Sequence, residues 1–340
     1  MTNSSRRVLV TGGAGFIGSH LVDALVARGD HVVVVDNLSV GTRDNLAHHA
    51  QDPRVRFQQV DVRDGARLAP LFQGVDTVFH LATQGMRVSL YDPELVHDVN
   101  TNGTMQTLLA GVRAHVRRYV YVSSSEAFGS ARSAPMTEDH PFEPTTVYGA
   151  SKRAGEMYTK AFHRTDSLPI VIVRPFNTYG ARAHFEGVYG ELIPKFVVRV
   201  ENGLPPIVFG DGEQTRDFTS VDDTVRGMLL ASESTSLIGR SVNIARGREV
   251  SVNRIAELVL SACGRTDLVP ERGPARPADV RRHYADISRA RQELGFDPAI
   301  EIEAGIPAYV AWFRATYPDP SVLLPREQPY NWTAAHAGSQ

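Results

Sequence analysis

The chain has 340 residues, of which 42% are hydrophobic and 22% are charged, a balance that is ordinary for a soluble globular protein. Its formal net charge of −2 gives no overall field that would draw it to nucleic acid or to an anionic membrane. The single cysteine, Cys263, excludes an internal disulfide and favours a reducing compartment. Neither a signal peptide nor a membrane span is evident near the amino terminus, so we predict a cytoplasmic protein without nucleic-acid or membrane partners.

Valine-rich runs alternate with longer amphipathic stretches through the first half of the chain. Helical spacing of apolar residues predicts helices over residues 18–28 and 99–114. The β-branched runs predict six strands, at residues 7–11, 31–36, 55–60, 77–80, 118–123 and 169–175. Because strands that alternate with helices form parallel sheets covered on both faces, we predict an α/β protein with a Rossmann-type doubly wound parallel sheet.

After residue 177 the alternation gives way to short elements that are rich in glycine and proline. We predict that residues 1–177 form the sheet domain, which would bind the cofactor, and that residues 211–240 return to it. Residues 178–330 would mainly form a smaller, loop-rich C-terminal lobe for the substrate. The end of the chain, residues 331–340, is small and polar, which predicts a mobile tail.

A glycine-rich turn joins the first predicted strand to the first predicted helix, with Gly12, Gly15 and Gly18 at G-x-x-G-x-x-G spacing. Such a turn lets the backbone approach a pyrophosphate, to which the helix N-terminus offers free N–H groups. The second strand ends at Asp36, whose carboxylate can accept both ribose hydroxyls of NAD and would repel the 2′-phosphate of NADP. We therefore predict NAD as the cofactor. Its predicted contacts are Gly12, Gly15, Phe16, Ile17, Gly18, Asp36, Asn37, Asp61, Val62, Leu81, Ala82, Tyr148 and Lys152.

Tyr148 and Lys152 stand at i, i+4 spacing and would share one face of a helix. A tyrosine with the usual pKa of about 10 is a poor base, but a neighbouring ammonium group would lower that value. Tyr148 could then take a proton from a sugar hydroxyl, while a serine at the end of the preceding strand orients the same oxygen. The alternative is a serine-rich turn followed by an ordinary Tyr–Lys pair on a helix. Asp61 is a candidate contact for the adenine amine or, equally, a helix cap.

Nine segments, spread over residues 8–296, resemble motifs of one known enzyme family. They are TGGAGFIG, VVDN, HLA, VNTNGT, SSSEAFG, YGASK, RPFNTYG, GDGEQTRDF and RPADVRRHYAD. In these segments the chain resembles the extended short-chain dehydrogenase/reductases of the NAD-dependent epimerase/dehydratase family. The resemblance implies a nucleotide-diphosphate sugar as substrate and a homodimer formed through helices near residues 99–114 and 149–162. It also implies catalytic roles for Ser124, Tyr148 and Lys152.

The same resemblance implies that Asn177 lies near the sugar diphosphate and that Arg216 and Arg276 grip its pyrophosphate, since guanidinium forks match phosphate oxygens. Arg87, Arg182 and His184 complete the predicted substrate contacts; for the last two, a solvated loop is an equal alternative. No His, Cys or Asp spacing predicts a metal site. We interpret His80 as a satisfied histidine at a strand end and Asn100 as a bridge between strand and helix.

Glu126 bears on the choice of reaction. Members of the family oxidise C4 of a hexose and keep the reduced cofactor bound, and a 4,6-dehydratase then needs a carboxylate to take the C5 proton. Glu126 stands where resembling dehydratases and decarboxylases carry that group, although Ser125 replaces the aspartic acid of many dehydratases. We therefore favour 4,6-dehydration, with 4-epimerisation and decarboxylation of a nucleotide–glucuronic acid as alternatives. From other classes, a ketoreductase that releases NADPH and a silent NAD-binding regulator stay open.

Overall fold

The computed structural model describes residues 5–276 and 280–330, so the predicted tail at 331–340 lies outside the described residues. The strands along the chain are β1 (Arg7–Thr11), β2 (His31–Asp36), β3 (Val55–Gln59), β4 (Thr77–His80), β5 (Arg118–Val122), β6 (Ile170–Pro175), β7 (Thr178–Tyr179), β8 (Ile207–Phe209), β9 (Thr215–Arg216), β10 (Thr219–Ser220), β11 (Ser241–Ile244), β12 (Val250–Ser251) and β13 (Glu271–Gly273). The α-helices are α1 (Phe16–Ala27), α2 (Gly65–Leu68), α3 (Pro93–His97), α4 (Gly103–Arg113), α5 (Val147–Asp166), α6 (Leu192–Glu201), α7 (Val221–Glu233), α8 (Val252–Cys263), α9 (Ser288–Leu294) and α10 (Ile302–Thr316).

Seven strands form one parallel sheet in the order β11-β6-β5-β4-β1-β2-β3. The fold class predicted from the sequence is thereby confirmed. The strand order reverses between β1 and β4, and in doubly wound sheets ligands bind outside the carboxyl ends of the strands at such a point. The edge strand β11 begins at residue 241, directly after the segment 211–240 that the sequence predicts to return to the sheet.

Alternating side chains on β1 explain why the sheet is covered on both faces. Val8 and Val10 are buried in one core beneath α1 and α7, whereas Leu9 is buried in the opposite core beneath α4. The remaining lobe has a core of its own, built from α6, α8 and α10, in which Val197 and Ile306 are fully buried. In the described part of the chain, no helix is both long and apolar enough to cross a membrane.

Candidate active site

A cleft of about 680 Å³ lies between the carboxyl ends of the sheet strands and the smaller lobe. Most of the site residues predicted from the sequence line it. From the cofactor set these are Gly12, Gly15, Phe16, Ile17, Gly18, Asp36, Asn37, Val62, Leu81, Ala82, Tyr148 and Lys152. From the catalytic and substrate sets they are Ser124, Ser125, Glu126, Arg87, Asn177, His184, Arg216 and Arg276.

The glycine turn requires its glycines for reasons that the structure makes explicit. Gly12 has a φ of +69°, and a Cβ added there would lie 2.8 Å from the backbone nitrogen of Ala82. A Cβ on Gly18 would clash with the carbonyl oxygen of Gly12, so this glycine lets α1 pack closely on the turn. No side chain caps α1 at Gly15, which leaves the first N–H groups of the helix directed at the cleft.

Asp36 sits at the end of β2 and is buried. One of its carboxylate oxygens accepts the N–H of Leu38 at 2.8 Å and the other accepts the N–H of Ala14 at 3.0 Å. Burial raises the pKa of this carboxyl, and the two backbone bonds oppose that shift. Each oxygen keeps a further lone pair, so Asp36 is oriented to accept hydroxyl groups from the cleft. A glycine cradle followed by this carboxylate fits the phosphates and the ribose of NAD.

Tyr148 and Lys152 lie one turn apart near the start of α5, which begins at Val147 because Thr146 caps it by accepting the N–H of Gly149 at 3.1 Å. The Tyr148 hydroxyl forms a hydrogen bond with Ser124, the residue that follows the end of β5 by two positions. The ammonium group of Lys152 donates to the carbonyl oxygen of Val122 at 2.7 Å. Tyrosine, serine and lysine are thus brought to one wall of the cleft.

The electrostatics differ from the sequence-based argument, which has the Lys152 ammonium lowering the pKa of Tyr148. Burial raises the pKa of Tyr148 to about 12, although the hydrogen bond with Ser124 opposes the rise. Burial also lowers the pKa of Lys152 to about 7, against the opposing charge of Glu156. Loss of solvation therefore dominates both pKa values, and the lowered pKa that the Tyr–Lys spacing predicts for Tyr148 is not found.

A buried ion pair lies directly behind this wall. Glu156, one turn beyond Lys152, is fully buried and accepts two hydrogen bonds from Arg174 on β6, at 2.7 and 2.8 Å. The hydroxyl of Ser123 donates to the same carboxylate at 2.7 Å. Burial raises the pKa of Glu156, but the hydrogen bonds and charge of Arg174 outweigh that effect and hold the pKa below its usual value. This carboxylate connects α5, β6 and the residue next to Ser124, so it supports the part of the cleft that carries Ser124, Tyr148 and Lys152.

Ser125 and Glu126 occupy a short 3-10 turn that Ser124 caps by accepting the N–H of Glu126 at 3.2 Å. Ser125 is buried, and its backbone carbonyl accepts a hydrogen bond from the ring of His283. Glu126 is half-buried at the cleft, and its charge acts to raise the pKa of Tyr148, which places the two groups in electrostatic reach. The carboxylate on which the dehydration hypothesis depends therefore lines the cleft near Tyr148.

Polar groups that follow β6 and that come from the smaller lobe also line the cleft. The side-chain oxygen of Asn177 is buried without a hydrogen-bond partner. The Arg216 guanidinium donates to the carbonyl oxygens of Thr215 and Val280, at 2.8 and 2.7 Å. The Arg276 guanidinium lies 5.1 Å from the centre of the Phe209 ring. Two guanidinium groups and an amide oxygen without a hydrogen-bond partner in the cleft lining suit an anionic and hydroxyl-rich ligand.

Comparisons with known proteins agree with this geometry. Residues 9–308 match the family described as GDP-mannose 4,6 dehydratase. UDP-glucose 4-epimerase of Mycolicibacterium smegmatis is 35% identical, covering 91% of this chain and 98% of its own. UDP-glucuronic acid decarboxylase 1 of Arabidopsis thaliana is 33% identical over 91% of this chain and 70% of its own. The dTDP-glucose 4,6-dehydratase DesIV of Streptomyces venezuelae, solved with NAD bound, has a TM-score of 0.87 at 34% identity and covers 92% and 98% of the two chains.

The chain belongs to the NAD-dependent epimerase/dehydratase family. The predicted resemblance is thereby confirmed, and so is the prediction of an enzyme of this family. Relatives of similar identity carry the names of all three reactions considered above. Membership in the epimerase/dehydratase family therefore leaves the choice among those reactions to the residues of the cleft.

Two of the predicted site residues lie outside the cleft lining of this epimerase/dehydratase. Arg182, at a φ of +64°, directs its guanidinium to Asp23 on α1 at 2.8 Å. Asp61 neither lines the cleft nor caps a helix; it accepts hydrogen bonds from Arg63 and Asn37 instead. The ion pair with Arg63 lowers the pKa of Asp61 to about 2. The neighbouring Val62 does line the cleft, as predicted.

Two supporting residues have the structural roles that the sequence suggests. Asn100 accepts the N–H of Gln84 at 2.7 Å and donates to Ser151 at 3.0 Å, so it bridges the loop after β4 and helix α5. It lies in a π-helical stretch, Asp98–Asn102, of the kind often found next to functional sites. The ring of His80 bonds to Thr11 and Thr104, at 2.7 and 2.9 Å, and burial lowers its pKa to about 3. His80 is therefore a neutral structural group.

Sequence reasoning missed the Glu156–Arg174 pair and Gln84. Gln84 is buried, donates to Ser39 at 3.3 Å and accepts from the Tyr189 hydroxyl at 3.2 Å, which links the two sides of the cleft. An arginine inside a strand of apolar residues was the one available signal, because a buried charge needs a partner. The sequence also predicts no metal ligands, whereas the structure brings Asp23, His48 and His49 within 4.8 Å of one another.

Proposed function

We propose that the chain binds NAD and a nucleotide-diphosphate sugar in this one cleft and oxidises C4 of the sugar transiently. When bound, NAD supplies the acceptor for hydride from C4 and later returns it, so that no cofactor is consumed. The observation that carries the proposal is the Tyr148–Ser124 hydrogen bond in a cleft that the Asn177 and Arg216 side chains also line. A nucleotide-diphosphate sugar in this cleft would meet both an acid–base group and ligands for its diphosphate.

In this proposal Ser124 and Tyr148 have separate roles in the first step, the oxidation at C4. Ser124 holds the C4 hydroxyl and Tyr148 takes its proton. The high pKa of Tyr148 means that the phenolate forms only when a positive charge lies close, and the nicotinamide ring of oxidised NAD carries such a charge. Lys152, whose amino group donates to the carbonyl oxygen of Val122, adds a second positive charge when it is protonated. Proton removal is thus confined to the complex in which the oxidised cofactor is bound.

We favour 4,6-dehydration as the step that follows. Glu126 is the carboxylate at the cleft nearest in sequence to Ser124, and a 4-keto group acidifies the C5 proton that it would take. The C6 hydroxyl then leaves as water. Ser125 is buried against His283 and is a far weaker acid than a carboxyl group, so Glu126 delivers its proton to the departing oxygen. One carboxyl group serves both halves of the elimination.

Two alternative reactions use the same oxidation. A 4-epimerase turns the 4-keto sugar over and needs no carboxylate at Glu126, and a decarboxylase removes the C6 carboxylate of a uronic acid. The relatives named above include both activities. A silent regulator would have no use for the Tyr148–Ser124 contact, and a NADPH-releasing ketoreductase is disfavoured by Asp36.

A homodimer formed through α4 and α5 and a cytoplasmic location complete the proposal. Met157 on α5 has 53% of its surface exposed and Val147 at the start of the helix has 39%, which is unusual for large apolar side chains. A second copy of the same helix pair would cover them. Light scattering is expected to give twice the mass of the chain, and the mass of one chain would contradict the dimer.

The test of the reaction is product mass spectrometry with a panel of UDP-, dTDP-, GDP- and CDP-sugars in heavy water. We expect a product lighter by one water that has taken up solvent deuterium, and we expect Glu126→Gln to abolish it. A product of unchanged composition with an altered configuration would mean epimerisation. Epimerisation would overturn the role given to Glu126, and a product that has lost carbon dioxide would mean decarboxylation and overturn the preference for dehydration.

A further inference from the structure

Three possible metal ligands converge beside α1, and none of them is part of the cleft lining. His48 and His49 end the 3-10 helix Arg43–His49, and both direct a ring nitrogen at the same carboxylate oxygen of Asp23. The Nε2–Oδ1 distances are 2.7 Å for His48 and 2.8 Å for His49. The ring centroids of the two imidazoles lie 4.1 Å apart. Among the described residues this is the one group of three His, Cys, Asp or Glu side chains with such spacing.

We propose that Asp23, His48 and His49 form a binding site for one divalent transition-metal ion of the zinc class. Two imidazoles and one carboxylate are a donor set that proteins use for zinc, with bonds of about 2.0–2.2 Å. Donor atoms around a tetrahedral ion of that size lie about 3.3 Å apart. The side chains therefore need to open by roughly half an ångström, which rotations of exposed or half-buried side chains provide.

The surroundings select against hard cations. The second oxygen of Asp23 is paired with Arg182 at 2.8 Å, so its negative charge is already neutralised. Mg²⁺ and Ca²⁺ prefer several oxygen ligands, and this site offers them one. Neutral imidazole nitrogens instead bind zinc, nickel, cobalt and copper. Since 48% of the His48 side chain is exposed, water can occupy the fourth position of the ion.

The site joins two elements that also shape the cofactor end of the cleft. The segment between Asp36 and His48 is fixed at one point to the glycine turn, where Thr42 and Asn45 both donate to the carbonyl oxygen of Ala14, at 3.1 and 2.9 Å. A metal ion at Asp23 would fasten the far end of this segment to α1. We expect bound metal to raise the thermal stability of the protein.

The test uses the full chain without an affinity tag, titrated with Co²⁺, whose visible absorption reports a tetrahedral site, and with Zn²⁺ in competition. We expect one equivalent to bind, with a rise in the melting temperature that EDTA reverses. His48→Gln and His49→Gln keep an N–H that can donate to Asp23 but remove a metal ligand, so each is expected to lose binding at least tenfold. His97→Gln, at an exposed position on α3, is the matched control and is expected to bind normally.

Several results would overturn the proposal. Absence of saturable Co²⁺ binding to the native chain would do so, because the native chain has all three ligands in place. Equal binding by the His48 and His49 variants would place the metal elsewhere. Mg²⁺ or Ca²⁺ binding as tightly as Zn²⁺ would contradict the argument from the donor set. The readouts are absorption and melting temperature, so they are independent of the reaction proposed above.

Discussion

Replacing Glu156 by glutamine is expected to destabilise the protein and also to disturb the part of the cleft that carries Ser124 and Tyr148. Arg174 has 1% of its side chain exposed and Glu156 has none, and the pair is joined by two hydrogen bonds of 2.7 and 2.8 Å. Removing one charge leaves the other buried and uncompensated, which costs about 3–5 kcal/mol. That loss is a large part of the 5–15 kcal/mol that typically separates folded from unfolded chains.

The matched control is Arg153→Ala. Arg153 pairs with the same carboxylate at 2.9 Å, but 26% of its side chain is exposed, so its loss should cost about 1 kcal/mol or less. Urea unfolding followed by circular dichroism measures both variants. The glutamine variant is expected to lose several times as much stability as the alanine variant. Equal losses would refute the reasoning that burial makes the Glu156–Arg174 pair the critical one.

Three further outcomes are expected. Tyr148→Phe should lower turnover by about 10²–10⁴-fold without changing the melting temperature, because it removes the acid–base hydroxyl and leaves the ring; full activity on the sugar panel would refute its role. Asp36→Asn should reduce the ratio of the NADP to the NAD dissociation constant, because it removes the charge that repels the 2′-phosphate. An unchanged ratio would mean that Asp36 does not contact the ribose. Stability should fall as the pH drops below about 6.5, because His80 is protonated in the unfolded state while burial holds its pKa in the folded state at about 3. The urea midpoint of unfolding should therefore depend less on pH in His80→Asn. An unchanged pH dependence would exclude His80 as its source.

The sequence is informative where a function depends on local spacing. The glycine turn, Asp36 at the end of its strand and the Tyr148–Lys152 pair each lie within one turn or one βα unit, so short patterns predict the fold and most residues of the cleft. In the structure, the φ of +69° at Gly12 and the start of α5 after Thr146 match what those patterns require.

Contacts between distant segments could not be predicted in this way. Asp23 and Arg182 are far apart along the chain, and the Arg182 side chain pairs with α1 although the nearby His184 lines the cleft. The same holds for Glu156 and Arg174, which meet only because α5 packs on β6. The pKa of Lys152 depends on how deeply the whole sheet buries it, and no spacing of residues contains that information.

We propose that hydride leaves C4 of the sugar and returns to the same molecule within the cleft. This proposal is tested most directly with a nucleotide sugar that carries deuterium at C4, followed by mass spectrometry and NMR of the product. The account predicts that deuterium stays in the product, at C6 after dehydration, with no reduced cofactor released. Deuterium found instead in free NADH, in proportion to the product formed, would contradict it.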